Sequence, residues 1–364
     1  LKTPVKLLAY MLLGIGISNT NLVNAAQVRI YNWSDYIGES TLKDFQTQTD
    51  ISPLYDVFDS NETLEAKLLA GQSGYDVVVP SSHFLARQIK AGVFLKLDKE
   101  QIPNLSLLDK FLLKFTQNHD PNNEYSVPYL WGTNGIGYNV DKIKQVLGVD
   151  EIDSWQYLFE PEYMQKLASC GVAFLDSPDE MFPAILHYLG FNPNSTNVED
   201  FKKAEAKFMQ VRQYVTYFHS SKYITDLANG DICIAAGFSG DVMQAIISSK
   251  EAKNGVNIAY SVPKEGGALW FDVMAIPKDA PNVEAAHEFI NFILEPQNIA
   301  EVTNYVGYAN AVPAANKLVA QEIINNKNVY PSAKSFKNMY ISNPLPNNIV
   351  KQMNRSWTKI KTNN

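Results

Sequence analysis

Hydrophobic positions along this chain follow two rhythms. Short apolar runs at 28–31, 76–79, 135–138, 172–175, 231–235 and 257–262 have the length and β-branched content of strands. Between them, apolar residues return every third or fourth position. Leu64, Leu68 and Leu69 follow Asp59 and Glu62 in the spacing of a capped helix, and Ala285, Phe289, Phe292 and Ile293 share one side of a helix predicted over 284–294. Strands alternating with helices predict α/β lobes with mostly parallel sheets. The stretch NPLPNN at 343–348 reads as a loop, and the residues after Trp357 as a frayed end.

A chain of 364 residues is too long for one ordinary core and suits two lobes. Its start reads as an export signal. Lys2 and Lys6 precede the apolar run 7–17, which is short for a membrane span, and Val23-Asn24-Ala25 offers a cleavage site near Ala25. An uncleaved anchor is the alternative. No Cys follows the run, so a lipid-modified N-terminus is not expected, and no later stretch is long and apolar enough to span a membrane.

The formal charge is −7, and an acidic surface argues against nucleic acid as a partner. Cys170 and Cys233 are the two cysteines. In an exported protein they most simply form one disulfide, two buried thiols being the alternative.

In open α/β sheets, ligands bind beyond the carboxyl ends of strands. That rule selects NWSDY (32–36), PSSH (80–83), DSPDE (176–180), GFSGD (237–241) and the surroundings of LWFD (269–272), none of which contains Lys or Arg. GFSGD lacks the spacing of a nucleophile elbow, the five histidines show no metal-ligand spacing, and GTNGIGYN lacks the third glycine of a dinucleotide loop. Neither a catalytic constellation, a cofactor nor a metal is expected.

A binding cleft fits these loops better. They supply carboxylates (Asp35, Glu180, Asp241, Asp272), and with Tyr308 from VGYANAV they supply aromatic faces (Trp33, Tyr36, Phe238, Trp270). Acids in a cleft are costly unless a cation meets them. Aromatic walls hold cations and pack against methylenes. Acid ends with aromatic walls describe a pocket for a linear polyamine. Each residue also has a plainer reading. Trp33 and Tyr308 could be core packing, Asp35 and Asp241 helix caps, and Glu180 a solvated first-turn acid. Asp272 is the most informative, because it interrupts an apolar strand.

The stretches YNWSDYI, YDVFDSNETLEAKLLAG, YDVVVPSSHFLARQ, GTNGIGYNVDK, DLANGDICIA, AKNGVN, PKEGG and FDVMAIP resemble the periplasmic polyamine-binding receptors of ABC importers, the putrescine type most closely. The resemblance runs from about Gln27 to Thr358. It implies a two-lobed, hinged solute-binding fold of type II. The expected lobes are 26–133 with 263–311, and 134–262 with 312–364. It also implies a ligand set of Trp33, Ser34, Asp35, Tyr36, Ser81, His83, Asp272 and Tyr308, with Glu180, Phe238, Asp241 and Trp270, and a Cys170–Cys233 disulfide beside the site. A monomer in the periplasm, delivering putrescine or spermidine to a membrane permease, is the expected role.

Three positions depart from the putrescine pattern. Phe238 stands where Trp is usual, Trp270 where putrescine receptors tend to carry Phe and spermidine receptors Trp, and His83 where Ser or Tyr occurs. Trp270 leans the expectation toward spermidine, with putrescine beside it. A sensor of the same fold and an exported amine-acting enzyme are the rival roles. A receptor for carboxylates would need an Arg in the cleft, and Arg29, Arg87, Arg212 and Arg355 all lie outside the candidate loops.

Overall fold

A computed structural model of the protein describes residues 26–331 and 335–362. The expected export signal, 1–25, lies outside the described residues. Ten strands are present among them: β1 (Gln27–Trp33), β2 (Ser52–Phe58), β3 (Val77–Val78), β4 (Ser126–Asn139), β5 (Val172–Phe174), β6 (Tyr217–Phe218), β7 (Ile234–Phe238), β8 (Ile258–Ser261), β9 (Leu269–Ala275) and β10 (Ala309–Asn310). They order as β2-β1-β3-β9-β4-β7-β5-β6, with β8 and β10 also pairing to β4.

The outer pairs are parallel, as the βα alternation predicts: β1 with β2 and β3, and β5 with β6 and β7. The inner strands are antiparallel. β4 is buried along all 14 residues and joins the two halves. Its first part, 126–133, pairs with β9, and its last part, 134–139, pairs with β7 and β8. The sequence pattern detected only 135–138 of this strand, because a strand buried on both faces shows no alternation. Pro128, which has no N–H to give the ladder, coincides with a register shift against β9. β2 was missed as well. It lies at the sheet edge, and Leu54 and Val57 are exposed there, so its pattern is not that of a buried run.

Two hydrophobic cores result. Val28, Ile30, Phe45, Val77, Phe271 and Phe289 belong to the first, and Trp155, Phe174, Phe182, Phe208 and Ile234 to the second. The chain passes between them within β4, between Tyr260 and Leu269, and between Val329 and Ile349. The expected boundary at residue 312 is therefore corrected. Val312, Ala315, Val319, Ile323 and Val329 pack into the first core, and only the closing helix Asn347–Thr362 returns to the second, through Ile349, Met353, Trp357 and Ile360. The residues after Trp357 are not frayed up to Thr362. Ile360 is fully buried, and Lys361 Nζ lies 2.6 Å from an Asp176 carboxylate oxygen.

Helix capping differs in detail from expectation. Ser60, not Asp59, caps the helix Asn61–Leu69, its hydroxyl accepting from the Thr63 N–H at 3.2 Å. The predicted helix at 284–294 is observed as Val283–Ile293.

Candidate functional site

The carboxyl ends of the parallel strands in both lobes converge where the lobes meet. Trp33 is the last residue of β1, Ser81 follows β3, Glu180 lies in the first turn of the helix Pro178–Tyr188 after β5, and Phe238 ends β7. β9 runs antiparallel beside β4 and presents Asp272 from mid-strand, bridged to Ser81. Trp270 and Asp272 thus come from a strand rather than a loop.

Asp272 is 5% exposed. Its Oδ2 accepts from the Tyr36 hydroxyl at 2.8 Å and its Oδ1 from the Ser81 hydroxyl at 2.7 Å. Asn61 holds Ser81 in turn, donating Nδ2 to the hydroxyl and accepting the Ser81 N–H, each at 3.0 Å. Burial pushes the Asp272 carboxyl up to about 6, against the downward pull of the two hydroxyls.

Asp241 is gripped by two phenols. Tyr223 donates to Oδ2 at 2.7 Å, and Tyr308 donates to Oδ1 while accepting the Asp241 N–H at 3.2 Å. Burial pushes this carboxyl up to about 6, the phenols pull it down, and the charge of Asp35 pushes it up. Tyr308 packs in the first core, whereas Val242 and Ala245 of Asp241's helix pack in the second. The Tyr308–Asp241 bond therefore ties the lobes together. Gly240 makes the approach possible, since a Cβ there would lie 2.3 Å from the Tyr308 ring.

Glu180 turns inward rather than into solvent, and Asn134 Nδ2 donates to its Oε2. Burial raises this carboxyl to about 7, and Asp179, Asp272 and Glu62 push the same way. Asp179 is raised by burial and by Glu62 across the lobes. The charge of Asp272 thus bears on Glu180, and that of Asp35 on Asp241. Asp272, Glu180 and Asp241 have no Lys or Arg partner among the described residues.

An aromatic belt accompanies the acids. Ring centroids are 5.9 Å apart for Phe238–Trp270, 5.2 Å for Trp270–Tyr308 and 5.3 Å for Tyr308–Tyr36, all edge to face. The Trp270 Nε1 and Asn134 Oδ1 atoms are buried without a protein partner.

Other expected residues sit differently. The Trp33 indole packs on Phe58 at 4.6 Å and donates to the Val79 carbonyl at 2.9 Å. Ser34 and Asp35 are exposed at the turn after β1, with Asp35 at φ 54°, a conformation Asp tolerates. Ser40 occupies the N-cap of the next helix, so Asp35 does not cap it. His83 lies two residues beyond Ser81. It is buried in the helix Ser82–Lys90 against Phe84, and burial together with His119 and Arg87 drives its imidazole down to about 3. Its Nε2 is buried without a protein partner among the described residues.

The disulfide is present between Cys170 and Cys233, but not beside the site. Cys233 precedes β7 and Phe238 ends it, which separates them by roughly 16 Å at about 3.3 Å per strand residue. Sequence reasoning missed Asn134, Tyr223 and Asn61. Asn134 carried a signal, an amide within a strand-like run; Tyr223 carried none.

Comparison with known proteins agrees with this architecture. Residues 40–330 match the family described as bacterial extracellular solute-binding protein. The putrescine-binding periplasmic protein SpuD of Pseudomonas aeruginosa is 52% identical over 98% of this chain and 97% of its own length. The putrescine-binding periplasmic protein PotF of Escherichia coli is 49% identical over 92% of this chain and 91% of its own. Among solved structures, the spermidine/putrescine ABC transporter substrate-binding protein PotD from Streptococcus pneumoniae superposes with a TM-score of 0.77 at 28% identity, covering 93% of this chain and 99% of that one. Two lobes, a shared strand crossing between them and site residues drawn from both sides are thus accounted for together: the chain belongs to the bacterial extracellular solute-binding proteins.

Proposed function

We propose that the protein is a periplasmic polyamine receptor that takes putrescine as its principal ligand and delivers it, as a monomer, to the membrane permease of an ABC importer. One observation carries the reading. Three carboxylates, the buried Asp272 and the half-buried Glu180 and Asp241, converge between the lobes without a protein cation among the described residues, in two groups alongside an aromatic belt. An α,ω-diamine supplies an ammonium to each group through charge-assisted hydrogen bonds, and its methylenes pack on Trp270, Tyr308 and Tyr36. The Asn134 Oδ1 atom is a further acceptor for the ammonium beside Glu180. The names of the relatives SpuD and PotF support putrescine. Spermidine is the second reading, favoured by Asp179 and Glu62, which extend the acidic group at Glu180. Export with cleavage near Ala25 completes the proposal.

Calorimetric titration of protein unfolded, stripped of amines and refolded is the test, with putrescine, cadaverine, spermidine, spermine and an arginine control. Tight one-to-one binding of putrescine over spermidine supports the first reading, and the reverse order the second. Heat from none of the four amines overturns both.

A further inference from the structure

Tyr223 lies outside every loop that the strand-end rule selects, yet it touches both chemical elements of the second-lobe half-site. It sits in the helix Lys222–Asn229 and is fully buried. Its hydroxyl accepts the Phe238 N–H at 2.9 Å and donates to Asp241 Oδ2 at 2.7 Å. Gly237 leaves room for its ring, since a Cβ there would lie 2.6 Å from Tyr223. One phenol therefore joins the end of β7 to the first turn of the next helix, the three-residue step over which the aromatic wall gives way to the carboxylate.

We propose that Tyr223 is the positioning residue of this half-site, holding the Asp241 carboxylate in its amine-facing orientation and fixing the backbone that carries Phe238. The proposal rests on the polyamine reading above. Tyr308 reaches the same carboxylate from the other lobe, so its bond depends on the lobes meeting, whereas Tyr223 shares the second core with Asp241's own helix and needs no closure. Tyr223 thus presets the acid before the lobes close. A carboxylate without this donor can swing, and the amine then bears the cost of ordering it. The groups facing Asp241 are Tyr223 and Tyr308 by hydrogen bond; the charge of Asp35 acts on it, and its own charge acts on Tyr36 and Tyr260.

The test is a double-mutant cycle of Tyr223→Phe and Asp241→Asn, titrated with putrescine from pH 5.5 to 8.5. Tyr223→Phe is expected to weaken binding by about tenfold or more, as for loss of a hydrogen bond to a charged group. It should also move the acid limb of the affinity profile to higher pH, because a donor favouring the ionised acid is gone. In the Asp241→Asn background the same change should cost less than about threefold, since contacting groups are non-additive. Additive losses, or an unmoved pH limb, overturn the proposal. Should Tyr223→Phe fail to fold, 3-fluorotyrosine at position 223 keeps the ring and strengthens the donor. It should move the limb to lower pH, and no movement overturns the proposal. Wild-type protein that binds no diamine would refute the polyamine reading itself, an outcome separate from any result at Tyr223.

Discussion

Replacing Asp272 with Asn should move ligand affinity and intrinsic stability in opposite directions. The side chain is isosteric, and one of the two hydroxyls on it, from Tyr36 or Ser81, can rotate to accept from the new amide. The charge is what disappears. Burial raises this carboxyl from 3.8 to about 6, so holding it ionised at pH 7 costs the fold about 3 kcal/mol at about 1.4 kcal/mol per pH unit. The sign follows from proton counting. Below about pH 4 the group is protonated both folded and unfolded, and no cost exists. Between about 4 and 6 the folded state holds a proton that the unfolded chain has released, and stability falls as pH rises; above about 6 the full cost is present. Ligand-free Asp272→Asn should therefore melt no lower than wild type at pH 7.5. Its gain is up to about 3 kcal/mol, less what the weaker neutral hydrogen bonds forfeit, and that gain should vanish near pH 4. Amine affinity should fall by about 2–4 kcal/mol, since an ammonium in a dry cleft loses its partner. Thermal melts and calorimetry with putrescine on the same preparation measure both. A lower melting temperature with affinity changed less than twofold would refute the argument, leaving Asp272 as a structural acid.

Three further outcomes follow from the same geometry. Raised carboxyls at Glu180, Asp241 and Asp272 mean that amine binding below about pH 7 expels protons. Affinity should climb from pH 5 to 7, and the binding heat at pH 6 should vary with the buffer's ionisation enthalpy; a buffer-independent heat would contradict it. Gly240→Ala should block the approach of Tyr308, weakening putrescine at least about tenfold and leaving the molecule extended in solution scattering with amine present, whereas unchanged compaction would show that the contact yields. Removing the disulfide by Cys170→Ala with Cys233→Ala opens a link of sequence separation 63 and should cost about 4 kcal/mol of stability. Its distance from the cleft should leave amine affinity within twofold, and a larger change would mean the link shapes the site after all.

Much of the site was legible because it follows from local chemistry. An acid inside LWFDVMAI is written in the sequence, as are the aromatic and acidic residues at the ends of apolar runs. Chain order could not say which acids share a charge environment. Asp272 and Glu180 are 92 positions apart and become neighbours only when β4 and β9 bring the lobes together. Nor does chain order give side-chain direction: His83 sits two residues beyond Ser81, and helical geometry sets its ring against Phe84.

Composition and periodicity by themselves determined that this is a two-lobed α/β protein whose strand ends carry acids and aromatic rings, because burial patterns and residue chemistry are local properties. The long buried β4, the return of 312–329 to the first core, the removal of the disulfide to the far end of β7 and the phenol grip on Asp241 were decided by the tertiary structure alone. Each depends on contacts between residues distant in sequence, and a pattern read along one chain holds no record of which distant residue will fill the space opposite.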